Sequence, residues 1–241
     1  MGKGEGKMRK LIFAALAAVM AITCSAGIAE VITSPPGAIS NSWNLFALPI
    51  IPKDPSPVAI MSPEYDPGDG SALSYKGLYR WDASNQGLEM FDSFVPESFG
   101  NLCIGEGYWL QLFPEDTLPI SYEGFTFNDS LDTWVSLPKA GWTIIGQPFS
   151  YPVDPIADPY PWADVLVTDG IETRTMDEAT LCPSPWLDSM AYWWDSEHQG
   201  LVDMGTPDAW ASNTSLWAWH GYWVQSYKDN LALIFPARQP G

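Results

Sequence analysis

Basic charge is what this 241-residue chain has least of: 11 Lys and Arg stand against 29 Asp and Glu, a net of −18. Nucleic-acid phosphates need Lys and Arg to neutralise them, and an anionic membrane surface attracts the same residues. The balance argues against both partners. Long apolar runs are missing as well. The longest, Leu11 to Ile22, holds twelve residues, too few for a permanent transmembrane helix. The sequence contains no His-Glu-x-x-His helix, no Gly-x-Ser-x-Gly elbow and no Gly-rich phosphate loop. No catalytic residue, metal or cofactor is therefore expected. With 22 Pro and 20 Gly, little of the chain is free to form long helices.

The amino terminus reads as an export signal. Lys3, Lys7, Arg9 and Lys10 precede the apolar run, and small residues follow it with cleavage expected after Ala26 or Ala29. Met8 is an alternative start, and the residues before Cys24 make a poor lipidation motif. Removing residues 1–29 takes away four basic residues and one acid, leaving seven basic and 28 acidic, a net of −21. Such a balance suits a protein kept soluble by self-repulsion outside the cytoplasm: extracellular, at the cell surface or periplasmic. After cleavage only Cys103 and Cys182 remain, and an exported chain with two cysteines most simply pairs them in one disulfide.

Internal duplication is the most informative feature. SWNLFALPI (42–50) matches GWTIIGQPF (141–149), and RWDASNQGL (80–88) matches WWDSEHQGL (193–201). GYWLQ (107–111) matches GYWVQ (221–225), and DTLPI (116–120) matches DNLAL (229–233). Four blocks in one order define two copies, 37–124 and 137–236, joined through 125–136, with an insertion in the second copy between its first two blocks. The blocks are short aromatic or β-rich runs punctuated by Pro, Gly, Asn and Asp, so they read as strands. The WDxxxxQGL block reads as a hairpin, and Thr175-Met-Asp-Glu178 as a capping box opening a short helix over Met176 to Leu181. The expected fold is all-β: two tandem antiparallel sandwich-like or barrel-like repeats of five to six strands, standing separately or packed as one body.

This series of GWN-hydrophobic-LP, YxWD and GYW blocks resembles a duplicated module found in exported bacterial proteins, and the resemblance covers nearly all of the chain beyond the signal. It implies β-structure and export, and it carries no catalytic residue. Ser42 and Thr143 depart from its Gly-Trp-Asn opening.

Thirteen tryptophans and ten tyrosines leave two uses to weigh. Exposed aromatic faces stack on sugars, whereas buried ones fill cores. Trp43/Trp142, Trp81/Trp194 and Trp109/Trp223 recur at equivalent positions, as residues packed in the core of each copy should. Trp162, Trp186, Trp193, Trp210, Trp217 and Trp219 lack a counterpart. Of these, Trp217, Trp219, Trp210 and Trp193 are the candidate ligand-binding residues, with an interface between the copies as the competing use. His198, matched by Asn85, reads as a turn residue, and His220 as a packed histidine. Glu64, Asp66 and Asp69 form an acidic turn without regular calcium-loop spacing. The expected function is a non-enzymatic structural or interaction module whose partner is a glycan, another surface protein or a second copy. The rivals are a carbohydrate-binding module and, more remotely, a glycosidase working with two carboxylates.

Overall fold

A computed structural model describes residues 32–33, 37–40, 42–61, 77–113, 117–126, 131–149, 159–181, 183–205 and 213–237. The signal segment, the acidic turn at Glu64–Asp69, Cys182 and Trp210 lie outside the described residues. Residues 31–241 form one compact unit.

The fold is all-β. In the first copy the strands are β1 (Ile32–Thr33), β2 (Gly37–Ser40), β3 (Trp43–Ala47), β4 (Ile51–Pro52), β5 (Gly77–Asp82), β6 (Gly87–Met90), β7 (Gly107–Gln111), β8 (Thr117–Ile120) and β9 (Glu123–Phe125). The second copy contributes β10 (Thr133–Leu137), β11 (Gly141–Gly146), β12 (Tyr160–Pro161), β13 (Leu166–Thr168), β14 (Thr173–Thr175), β15 (Leu187–Asp195), β16 (Gly200–Gly205), β17 (Ser215–Leu216), β18 (Gly221–Ser226) and β19 (Leu231–Phe235). Each copy is built on one antiparallel four-stranded sheet, ordered β3-β7-β5-β6 in the first and β11-β18-β15-β16 in the second. A second pairing, β2 with β8 and its equivalent β10 with β19, completes each layer pair. β10 begins at Thr133, inside the stretch that the sequence assigns to a linker, so the second copy starts a few residues earlier than its matching blocks suggest. The insertion in the second copy holds β13 and β14, which extend the β10-β19 sheet, and a short helix over Met176–Thr180. That helix opens with the expected capping box: Thr175 Oγ1 accepts from Glu178 N, and the Glu178 carboxylate accepts from Thr175 N.

Each copy has its own core. Phe46, Leu48, Leu78, Phe99, Tyr108 and Leu110 lie in the first, and Ile145, Phe149, Trp162, Val167, Tyr222 and Leu233 in the second. Along β3 and β11, alternate residues point to opposite faces. Phe46 and Ile145 enter their own cores, while Leu45 and Ile144, equally buried, face the other copy. Both faces of these strands are covered, which is why WNLFAL and WTIIG read as continuous apolar runs.

Candidate binding site at the junction of the repeats

The repeated motifs are explained by contacts between the copies, and these contacts are reciprocal, as isologous pairing requires. Trp81 Nε1 donates to Trp142 O at 2.6 Å, and Trp194 Nε1 donates to Trp43 O at 2.8 Å. The Gln86 amide brackets one residue of the other copy, accepting from Trp142 N at 2.7 Å and donating to Trp142 O at 3.0 Å. Gln199 does the same for Trp43, with both bonds at 3.1 Å. Both glutamines take left-handed φ angles, 50° and 49°. Asp82 and Asp195 hold the turns that place them, accepting from the backbone N–H groups of Ser84 and Asn85, and of Glu197 and His198. Side-chain bonds from Asn85 to Asp82 and from His198 to Asp195, with these backbone bonds behind them, keep both carboxyls below their ordinary range, and His198, bonded to Asp195, is raised above its own. His198 is thus the turn residue that its match to Asn85 predicts.

The Gly-Tyr-Trp block divides into three tasks. A Cβ on Gly107 would come within 2.3 Å of Ile144 Cγ2 and 2.9 Å of Ile145 O, and one on Gly221 within 3.1 Å of Phe46 O. Only glycine lets the two backbones cross here. The tyrosine closes a loop on its own copy: Tyr108 OH accepts from Cys103 N and Tyr222 OH from Trp217 N, each at 2.6 Å. Burial pushes both phenols well above their ordinary pKa. The tryptophan meets an indole of the other copy, Trp109 with Trp194 at 5.1 Å and Trp223 with Trp81 at 4.8 Å between ring centroids.

The six matched tryptophans are therefore not core residues. All six are half-buried and lie at the junction. An interface that pairs like with like preserves the same side chains in both copies, so recurrence alone could not separate it from a core.

Two clefts flank the junction at equivalent places. The larger, about 410 Å³, is lined by Arg80, Glu106 and Gly105 facing Trp134, Val135 and Thr143. The Arg80 guanidinium donates to Phe99 O at 2.6 Å and to Asn101 O, lies 4.9 Å over the Phe99 ring and pairs with Glu106 at 3.5 Å. In the smaller cleft, about 250 Å³, Trp193, His220 and Trp219 replace Arg80, Glu106 and Gly105. His220 lies against Trp193 at 5.1 Å, and its Nδ1 has no hydrogen-bond partner among the described residues. Desolvation lowers its pKa to about 4, so it is a packed, neutral imidazole near pH 7. Trp219 packs against the core of the first copy and meets Tyr122 at 6.3 Å.

Of the expected ligand residues, then, Trp219 packs from the second copy against the core of the first, while Trp193 packs against the core of its own copy and lines the same cleft. Trp217 is half-buried beside them, and Trp210 lies outside the described residues. Trp162 and Trp186 are buried in the second copy's core. The expected disulfide is not formed at Cys103, which carries a free, exposed thiol. Among the described residues no cluster of His, Cys, Asp or Glu could hold a metal ion, and no helix is long and apolar enough to cross a membrane.

What stays open at the junction is a third feature. A recess of about 210 Å³ is lined by Trp81 from the first copy and by Trp142, Tyr192, Leu201 and Trp223 from the second. Leu201 is 58% exposed at its rim. None of these residues stood among the expected ligand contacts. The available signal in the sequence is the recurrence of the aromatic positions in both copies, which packing produces as readily as a site does. Comparison with protein-family models, with curated proteins and with solved structures finds no match.

Proposed function

We propose that this protein is an exported, non-enzymatic interaction module that holds a ligand in the aromatic recess between its repeats. The observation that carries this reading is that three half-buried indoles, a half-buried phenol and the exposed Leu201 converge on one recess at the junction. Exposed aromatic concavities of this kind mark binding sites. The charged and titratable groups of the clefts are taken up structurally: in one the cation is held by carbonyl oxygens and a carboxylate, and in the other the imidazole lies against an indole. Export rests on the basic and apolar segment at the amino terminus. Amino-terminal sequencing of the protein from fractionated cells should find it outside the cytoplasm and beginning after Ala26 or Ala29.

The binding role is tested by titrating the protein with neutral oligosaccharides, quaternary ammonium compounds and uncharged aliphatic alcohols, following tryptophan fluorescence. At least one class should bind, and Leu201→Arg, a change at an exposed rim position, should abolish binding without lowering the unfolding midpoint. If nothing binds, or if Leu201→Arg leaves binding unchanged, the recess is only a packing defect.

A further inference from the structure

The four rings close the recess from different directions. Trp81 stands at 79° to Trp223, Trp142 at 87° to Trp223, and Trp142 at 59° to Tyr192, with centroids 4.8, 6.1 and 6.1 Å apart. A sugar ring stacks on one open face, whereas a round organic cation collects the negative faces of several steeply set rings at once. The lining is aromatic and aliphatic. A lysine ammonium brings three N–H donors that need acceptors, and burying it unsatisfied is costly. A quaternary ammonium group has no donor to satisfy. Charge agrees, because the chain carries a net −18, and Asp203 is the ladder partner of Tyr192 on the recess face of the sheet. Two of the described cations are engaged elsewhere: Arg174 and Lys228 lie 3.9 and 4.4 Å over Trp186.

We propose that Trp81, Trp142, Tyr192, Leu201 and Trp223 form an aromatic cage for a quaternary ammonium group of the choline type. The proposal rests on reading the recess as the binding element of the module. The equivalent cluster of Trp43, Tyr79, Trp109 and Trp194 is not an equal cage. Trp43 and Tyr79 close to 5.6 Å at 37°, and Met90 takes the position of Asp203. Because the cage draws walls from both copies, a bound cation also ties them together.

The experiment titrates the full chain with choline and with its uncharged isostere 3,3-dimethyl-1-butanol by calorimetry. Choline should bind at least about tenfold more tightly than the isostere, as a cation–π site requires, and saturating choline should raise the unfolding midpoint. Leu201→Arg should remove choline binding, whereas Leu88→Arg, the equivalent change on the first copy, should leave it intact. Free choline and phosphatidylcholine vesicles are compared as separate arms, which tells a soluble cation from a lipid headgroup. Equal binding of isostere and choline, or loss of binding in Leu88→Arg, overturns the cage. Binding of a neutral oligosaccharide in place of choline, lost in Leu201→Arg, also overturns it while leaving the recess as the binding element. Failure of every probe overturns both.

Discussion

The two clefts flanking the junction share a backbone and differ in what fills it. Gly146 N donates to Gly105 O at 2.9 Å on one side, and Ala47 N donates to Trp219 O at 3.1 Å on the other. Gly105 and Trp219 occupy the same position with left-handed φ angles of 82° and 66°. Glycine takes that angle freely, whereas a tryptophan there is strained by about 1 kcal/mol. The second copy tolerates the strain because the indole reaches into the first copy's core beside Tyr122. Opposite, glycine leaves a roomier cleft, which a guanidinium–carboxylate pair lines. Duplication has kept the geometry that joins the copies and released the side chains beside it.

The largest expected effect comes from removing what only one side has. Trp219→Ala should cost about 3 kcal/mol in chemical denaturation, the loss of a large side chain packed against a core. A cost under about 1 kcal/mol would mean that the indole merely covers the cleft. Next comes a feature that both sides share. Gly107→Ala places a methyl group against Ile144 and Ile145, and overpacking of this kind should cost about 1–3 kcal/mol. Gly221→Ala, which meets the end of the Leu45 side chain and Phe46 O at slightly longer distances, should cost less.

Acid separates the clefts in a different way. His220 titrates at about 4 in the fold against 6.5 in the unfolded chain, so between those values the unfolded state binds more protons. The contribution of His220 should be flat above about pH 6.5, fall as the pH drops from there towards 4, and lose about 2 kcal/mol between pH 7 and 5. His198, raised above its ordinary value, acts with the opposite sign, so the contribution of His220 is read as the difference between the wild-type and His220→Phe profiles. The charged groups in that cleft are Asp195 and Glu197. Asp195 is held below the ordinary carboxylate range by its bonds to His198 and the turn backbone, so its contribution is lost only at more acidic pH. His220→Phe should remove the His220 fall above pH 5, and an unchanged profile would show that the imidazole is solvated. A smaller effect tests the clamps: Gln86→Ala and Gln199→Ala should each cost about 1 kcal/mol through lost hydrogen bonds. Gln86→Ala should cost the more, its bonds to Trp142 being the shorter pair. The smallest effect concerns strain alone: Trp219→Gly should be less destabilising than Trp219→Ala by up to about 1 kcal/mol.

Much of the fold was legible in the sequence. Short aromatic and β-rich runs between turn residues marked the strands of each sheet, Thr175 and Glu178 marked their helix, and the shift in spacing between matching blocks located the insertion. The junction was legible only in part. Gln86 and Gln199 are loop residues by position, and their partners lie 56 and 156 residues away, beyond the reach of any local pattern. Their identity in both copies was the one signal, since a turn accepts many residues at that place. The matched tryptophans misled for a physical reason: cores and self-complementary interfaces both preserve their residues through duplication. The unmatched ones pointed to the right region with two uses open, a ligand or an interface between the copies, and Trp193 and Trp219 lie in a cleft that polar residues line on the other side.

Hydrogen exchange of Trp219→Ala, read strand by strand, tests most directly whether the two copies share one packed junction. Exchange should quicken in Trp43–Ala47 and Gly107–Gln111 of the first copy as well as around the mutated loop. Faster exchange confined to the second copy would contradict that junction and make the repeats independent neighbours.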